Sequence, residues 1–527
     1  MKKIVFLIIA SLLVIGLVLP GCEGGGEEEF DHWIDIACPG PMTFIYGEHA
    51  WQGVTLAAEE INDAGGVDIG GVMHGIRVTK VETNETNDMT GTDGILALTA
   101  VIDDVDFVMG GYQETAMAAY REVAMDEGKI FIAASLQAHQ VSVLEDYEGY
   151  KYWFQGPMVN DLFVDDMFGA MFTAVMGSLA EVGGNYTPRI AIVAEDEEWA
   201  DIAVAGMEYI LQSYGWWVGS WRVATTATTE EMLTVLAQIN PEDPHMIFTV
   251  FSGPAGIPFS TLVREAVPYA LCVGSNNEAS RGEFADITIY DPGEPPGCAY
   301  EVTATLFSPG VEITSKSAAF ASAYYDRWGN SPTLMSGFYD HVYWLMQSVE
   351  AAADELSVSD IADIVSAVNI DELIQIHEQS TWTGATSEYG YYPMPIELAE
   401  EVTHPAFNVT TAFVLSEEDV NELYPDLASY NITYDPALWT APPHYPHSVI
   451  YGPGWTTGIV VQWQEVSPGE WGLVSIWPTP LFPDDPAYWE MMMEVGWINQ
   501  WGYWNFAYPG GASLEIPDWW TSHHFPE

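Results

Sequence analysis

The sequence predicts an α/β protein built as two lobes, each a parallel sheet covered by helices. Three observations carry that prediction. Short apolar runs alternate with helix-like stretches from Trp33 to Val273. The alternation breaks near residues 150–188 and then restarts. The runs are short and apolar, and the stretches between them have helical periodicity, as expected of buried strands in sheets covered on both faces. In the first series, strands are expected at 34–38, 76–81, 107–109 and 130–133, with helices at 50–64, 92–102 and 116–125. In the second, strands at 190–193, 216–223, 246–251 and 270–273 alternate with helices at 200–214, 230–239 and 259–266. Two further helices are expected at 317–328 and 339–353, then a loop-rich region at 381–455 and an antiparallel pair at 458–465 and 471–477.

The N-terminus begins with Lys2 and Lys3, continues as an apolar run over 4–18, and ends in Leu19-Pro20-Gly21-Cys22. A basic start, an apolar stretch and a small residue before cysteine form a secretory signal of the bacterial lipoprotein kind. Cys22 is then the acylated first residue of the mature chain, and 22–30 is an acidic, Gly-rich tether. The competing reading is a membrane anchor, but the run is at the short end for a bilayer span. The expected location is extracytoplasmic, with the membrane reached through N-terminal lipid.

Thirteen basic residues stand against 76 acidic ones, for a net charge of −63. Losing the signal removes two lysines and no acids, which makes it −65. Such a surface excludes a nucleic-acid partner, since binding phosphate backbones requires a basic face. A content of 48% hydrophobic and 13% aromatic residues is enough for large cores. With Cys22 lipidated, Cys38, Cys272 and Cys298 allow at most one disulfide, and spacing does not choose the pair. The twelve histidines are scattered, with no Cys-x-x-Cys or His-Glu-x-x-His pattern, so sequence supports neither a metal site nor a cofactor. Past residue 480, Trp489, Trp497, Trp501, Trp504, Trp519 and Trp520 mark a Trp-rich C-terminal extension, expected to wrap a lobe or to offer an aromatic surface.

The segment Gly47-Glu48-His49-Ala50-Trp51-Gln52-Gly53, running into Glu59-Glu60-Ile61-Asn62-Asp63-Ala64-Gly65-Gly66, resembles the start of the branched-chain amino-acid (Leu/Ile/Val-binding) type of ABC-transporter substrate-binding protein. Further landmarks follow in that family's order. They are Phe320 and Tyr324 with Trp328-Gly329-Asn330-Ser331-Pro332, then Gly337-Phe338-Tyr339-Asp340, then Gln462-Trp463-Gln464 and Trp477-Pro478. The resemblance covers 31–480, leaving out 481–527 and much of 383–447. It implies the type I periplasmic binding fold, two Rossmann-like lobes joined by a three-crossover hinge with solute held between them. Lobe one is expected at 31–154 and 277–380, and lobe two at 155–276 and 381–480.

Carried over one position at a time, the family's binding residues are only partly retained. The loop Gly110-Gly111-Tyr112-Gln113-Glu114-Thr115 stands where relatives present a serine-rich turn to a solute carboxylate. Thr115 fits that role, whereas Glu114 repels a carboxylate. A Ser-Ala-Thr turn of the family corresponds to Ser135-Leu136-Gln137, and its ammonium-binding Asp falls at Asn160 or Asp161. Trp199 matches an aromatic at the mouth of lobe two, and Tyr46 matches a wall aromatic. Asn276 replaces an acidic residue, with Glu278 nearby. Trp199 and Tyr46 are thus expected to sandwich the solute while Thr115, Ser135 and Gln137 hold its polar end. Both aromatics fit equally well as core residues in a chain with 21 tryptophans.

The resemblance implies a non-enzymatic receptor that captures a small solute, an amino acid, amide or related compound, and delivers it to an ABC permease. A sensory or surface-structural receptor reusing the fold is the alternative. A lipoprotein hydrolase is less favoured, since neither a Gly-x-Ser-x-Gly elbow nor a metalloprotease helix occurs.

Overall fold

The computed structural model describes residues 30–157 except 136, and 186–391 except 291–292. It also describes 413–414, 440–441, 447–449, 458–477, 514–525 and scattered positions between 167 and 182. The signal, Cys22 and the tether up to residue 29, along with Leu136, Asn160, Asp161 and four of the six tail tryptophans, lie outside the described residues. Among the described residues no helix is long and apolar enough to cross a membrane.

The first half runs β1 (His32–Gly40), α1 (Ile45–Asp63), β2 (Val67–Ile69), β3 (Val72–Glu82), α2 (Thr92–Thr99), β4 (Phe107–Gly110), α3 (Glu114–Asp126), β5 (Phe131–Ala133) and β6 (Trp153–Gln155). Its sheet has the order β2-β3-β1-β4-β5-β6, parallel except for the β2–β3 pair. The second half runs β7 (Ile190–Glu195), α4 (Glu198–Tyr214), β8 (Trp217–Val223), α5 (Thr229–Ile239), β9 (Met246–Phe251), α6 (Gly256–Ala266), β10 (Leu271–Asn276) and β11 (Val302–Thr305). There follow α7 (Ser317–Trp328), α8 (Phe338–Leu356), α9 (Ile370–Gln379), the hairpin β12 (Thr381–Thr383) and β13 (Glu388–Gly390), and the short pair β14 (Phe413–Val414) and β15 (Thr440–Ala441). Last come β16 (Ile459–Ser467), β17 (Glu470–Trp477) and α10 (Asp518–His524). The second sheet has the order β17-β16-β11-β10-β9-β7-β8, parallel through its centre and closed at one edge by antiparallel β16 and β17.

Sequence motifs fix these elements through identifiable contacts. Helix α1 passes so close to the segment before α8 that a Cβ on Gly53 would lie 2.4 Å from the Ser336 carbonyl oxygen. At the other end of α1, Asn62 donates to Ile76 O at 2.9 Å and accepts from Ile76 N at 2.8 Å, pinning the helix to β3. Gly66 then turns the chain at φ +87°, with a Cβ excluded by His74 O. In Gly337-Phe338-Tyr339-Asp340, the buried Asp340 carboxylate accepts from Ala385 N (2.6 Å), Thr386 N (2.8 Å) and Thr386 Oγ1 (2.7 Å). It thereby fastens the β12–β13 hairpin to α8. The Trp463 ring is wholly buried and its Nε1 donates to Ala279 O at 2.9 Å.

The chain exchanges sheets at places that differ from the expected boundaries. Strand β11 pairs parallel with β10, Val273 opposite Val302, so the return towards the first sheet comes after 305 and not at 277. The hairpin after 381 stays with α8 through Asp340, and His447 O accepts from Gln155 N on β6. Among the described residues after 305, β16 and β17 are the strands that rejoin the second sheet. Cys38, Cys272 and Cys298 are all buried free thiols, and burial pushes each thiol upward.

The C-terminal segment docks on the second sheet. Gln462 on β16 donates to Glu515 O and accepts from Glu515 N, both at 2.8 Å. Trp520 is fully buried with its Nε1 donating to His245 O at 2.9 Å, and Arg264 lies 5.5 Å from the Trp519 ring.

Candidate functional site

The carboxyl ends of parallel strands from both sheets meet across one junction, which is where open α/β sheets hold ligands. From the first sheet come the β1–α1 turn with Phe44 and Tyr46, and the loop after β4 with Tyr112 and Gln113. From the second come Glu195 at the end of β7, Ser252 after β9, and Asn277 and Glu278 after β10.

Aromatic rings line the first-lobe side. Tyr46 and Tyr112 stack at 4.6 Å with planes 10° apart, and Phe44 packs on both at 5.2 and 5.4 Å. The Tyr112 hydroxyl reaches across to Ser252 Oγ at 2.7 Å, and Ser252 Oγ donates in turn to Glu195 Oε1. The same carboxyl accepts from Trp199 Nε1, and its other oxygen accepts from Gly253 N at 3.1 Å. A second crossing contact runs from Gln113 Nε2 to Glu197 Oε2 at 3.4 Å, and Thr225 Oγ1 donates to Glu197 Oε1 at 2.9 Å.

Burial sets the electrostatics. Glu195 is completely buried, and desolvation pushes its carboxyl up to about 7 even though Ser252 and Trp199 hydrogen-bond to the charged form. Burial likewise raises the Tyr46 and Tyr112 phenols. The Tyr46 hydroxyl is buried near Asn277, yet among the described residues no partner meets it at hydrogen-bonding geometry. Glu278 is buried and paired with Arg281 at 2.9 Å, and Arg281 also contacts Glu283 at 3.2 Å. Among the described residues the carboxyl groups of Glu195, Glu197 and Glu278 gather here, with Arg281 doubly engaged and Arg222 donating to the Glu195 carbonyl at 2.8 Å and to Asp201.

The expected site residues separate into those at the junction and those elsewhere. Tyr46, Gln113, Trp199 and Glu278 are at it, with Tyr46 stacked on Tyr112 and the Trp199 indole half-buried against Glu195. Thr115 is exposed on the first turn of α3, where Gln113 Oε1 caps the helix by accepting from Ala116 N at 2.7 Å. Glu114 is buried and faces His139 Nε2 at 3.2 Å. Ser135 is fully buried and serves its own turn, its Oγ accepting from Gln140 Nε2 at 2.9 Å and its carbonyl from Gln155 Nε2 at 2.7 Å. Gln137 lies in the helical turn Gln137–Gln140.

Asn276 belongs to the interior of the second lobe. Its Nδ2 donates to Glu301 Oε1 (2.8 Å) and Ser260 Oγ (3.0 Å), while Oδ1 is so close to Gly256 that a Cβ there would lie 2.0 Å from it. Burial holds Glu301 up at about 7, and Asn276 supplies one of the hydrogen bonds its buried carboxyl needs. The residues that sequence reasoning missed are Tyr112, Glu195 and Ser252. Each lies at the end of an expected strand or in the loop after it, so asking which polar side chains follow strand ends was the available signal.

A recess of about 510 Å³, lined by residues including Thr228, Pro254, Ile257, Thr261 and Tyr290, takes all its walls from the second lobe. It does not join the two sheets.

A family model described as a periplasmic binding protein matches residues 37–392. Among solved structures, a putative branched-chain amino acid ABC transporter protein from Silicibacter pomeroyi superposes with a TM-score of 0.54 at 18% identity, over 92% of this chain and 100% of that one. The branched-chain amino acid transporter substrate-binding protein of Streptococcus pneumoniae, in complex with isoleucine, gives 0.52 at 16% identity, over 84% and 99%. A solute-binding protein of an ABC transporter from R. palustris, in complex with benzoate, gives 0.51 at 15% identity, over 68% and 89%. At these identities the structures speak for the fold. No curated protein sequence matches the chain.

Proposed function

The chain belongs to the periplasmic binding protein family, and on that premise we propose that it is an extracytoplasmic receptor, anchored through lipidated Cys22, that closes two lobes on a small solute and delivers it to an ABC permease. The observation that carries this reading is the chain of contacts Tyr112–Ser252–Glu195, which spans the strand ends of both sheets at the place where a solute bridges the lobes. A ligand that touches both sides favours the closed state through its differential affinity, which is the only way binding shifts such an equilibrium.

The preferred solute is neutral or cationic and carries a flat or apolar face. Tyr46, Tyr112 and Trp199 supply ring surface, and the partnerless Tyr46 hydroxyl supplies a polar contact. A free carboxylate on the solute would meet the carboxyl groups of Glu195, Glu197 and Glu278, while Arg281 and Arg222 are already engaged. Benzoate and isoleucine are ligands of the similar proteins; here the balance of charge favours an amide, amine or polyol over either acid. On the family resemblance alone, Leu136, Gln137 and Asn160 or Asp161 are further proposed solute contacts. We place lobe one on the β1–β6 sheet with the helices from α7 to α9, and lobe two on the sheet that β11, β16 and β17 extend. Releasing the bound compound by denaturing purified protein, followed by mass spectrometry, tests the reading. A single neutral or cationic small molecule supports it, and a dicarboxylate would overturn the charge argument.

A further inference from the structure

We propose that Asp243, His523 and His524 form a binding site for a divalent transition-metal ion, with Zn²⁺ as the type ion, that fastens the C-terminal helix α10 to the second lobe. The site is independent of the solute reading, because it lies at the opposite end of the second sheet. Asp243, Arg189 and Tyr269 precede β9, β7 and β10 respectively, at the amino ends of strands whose carboxyl ends carry Glu195, Ser252 and Asn276.

One carboxylate oxygen and one ring nitrogen from each histidine lie within 4.8 Å of one another. A tetrahedral zinc site needs ligand atoms about 3.3 Å apart at bonds of about 2.0–2.1 Å, a contraction that small rotations of partly exposed side chains achieve. Imidazole with carboxylate suits zinc, nickel or cobalt better than the oxygen-seeking calcium and magnesium. His523 Nε2 sits 2.9 Å from Asp243 Oδ1, so the two share a proton that a cation would displace.

The surroundings orient the ligands. Arg189 donates to Asp243 O and, at 2.7 Å, to Asp243 Oδ2, which leaves Oδ1 towards the histidines. His524 Nε2 lies 2.8 Å from Tyr269 O; donation to that carbonyl makes Nδ1 the lone-pair atom, the usual arrangement around a ligating histidine. The His523 ring stacks on Tyr269 at 3.7 Å. Sequence spacing hid the cluster, because Asp243 and His523 are 280 positions apart. With Trp520 buried one turn earlier, a metal here would lock a helix that already docks by packing.

Calorimetric titration of the chelator-treated full-length protein with Zn²⁺ is the test. The expected result is about one equivalent bound at about 10 μM or tighter, weakened at least about tenfold in both His523→Gln and Asp243→Asn, with His32→Gln unchanged. Melting curves in chelator check that the variants fold, and Zn²⁺ should raise the melting temperature of the wild type but not of either site variant. No binding at about 100 μM Zn²⁺ overturns the proposal. So does binding that is unchanged in a folded His523→Gln or Asp243→Asn variant, or that falls equally in His32→Gln.

Discussion

The two ends of the second sheet solve different problems with similar residue types. At the carboxyl ends, Glu195 is sealed from water and shared among Ser252, Trp199 and Gly253, with Tyr112 of the other lobe completing the chain of contacts. At the amino ends, Asp243 is exposed, paired with Arg189 and His523, and bridged to the chain's own tail. In the first arrangement Ser252, Trp199 and Gly253 of the same lobe satisfy the carboxyl and Tyr112 adds the link to the other sheet, whereas the second holds together segments of one lobe.

The largest effect should come from the fixed end. Trp520→Ala removes a fully buried indole that also donates to His245 O, and should destabilise the protein by about 3–5 kcal/mol. Chemical denaturation measures this, and a loss below about 1 kcal/mol would show that the tail is not part of the second lobe's core.

Next in size is a pH dependence that belongs to the moving end. Glu195 has its folded value raised to about 7 from an ordinary 4.5, so the native state holds a proton that the unfolded chain has released. Its contribution is full below about 4.5 and is lost as pH rises through about 7, amounting to about 3 kcal/mol at most. Glu301, also near 7, and Glu85, near 8, add slopes of the same sign. Melting temperatures measured between pH 5 and 8 should therefore fall with pH, and Glu195→Gln should flatten part of the trend. An unchanged slope in that variant would mean that Glu195 is hydrated.

Smaller effects concern binding. Trp199→Ala should weaken solute affinity by about 1–3 kcal/mol and also free one donor from Glu195. Tyr112→Phe deletes only the hydroxyl that crosses to Ser252, and should cost about 1 kcal/mol of binding while leaving thermal stability nearly unchanged. Calorimetry with the identified solute separates the two.

Much of the fold was legible in sequence because its strands are apolar runs between helices, and because Asn62, Gly66, Asp340 and Trp463 act through local or nearly obligatory contacts. Among the elements that were not anticipated, β6 has three residues, β11, Val302–Thr305, alternates threonine with small apolar residues and shows no apolar run, and α9, Ile370–Gln379, is a longer helix that was also missed. Missing β11 displaced the expected lobe boundary. At the site, position along the chain located the right loops but not which side chain of each loop faces the other lobe. Asn276 and Thr115 illustrate this, since the first turns inward to satisfy Glu301 and the second outward to solvent. Inward or outward direction depends on what packs beneath the loop, and Glu301 and Ser260 are distant in sequence.

Small-angle X-ray scattering on the purified protein, stripped of bound compound and then supplied with the solute identified from it, tests the central claim most directly. Two lobes that close across Tyr112, Ser252 and Glu195 predict a smaller radius of gyration with solute present and the compound recovered intact. An unchanged radius at saturation, or a compound consumed during the measurement, would contradict a receptor that works by closing.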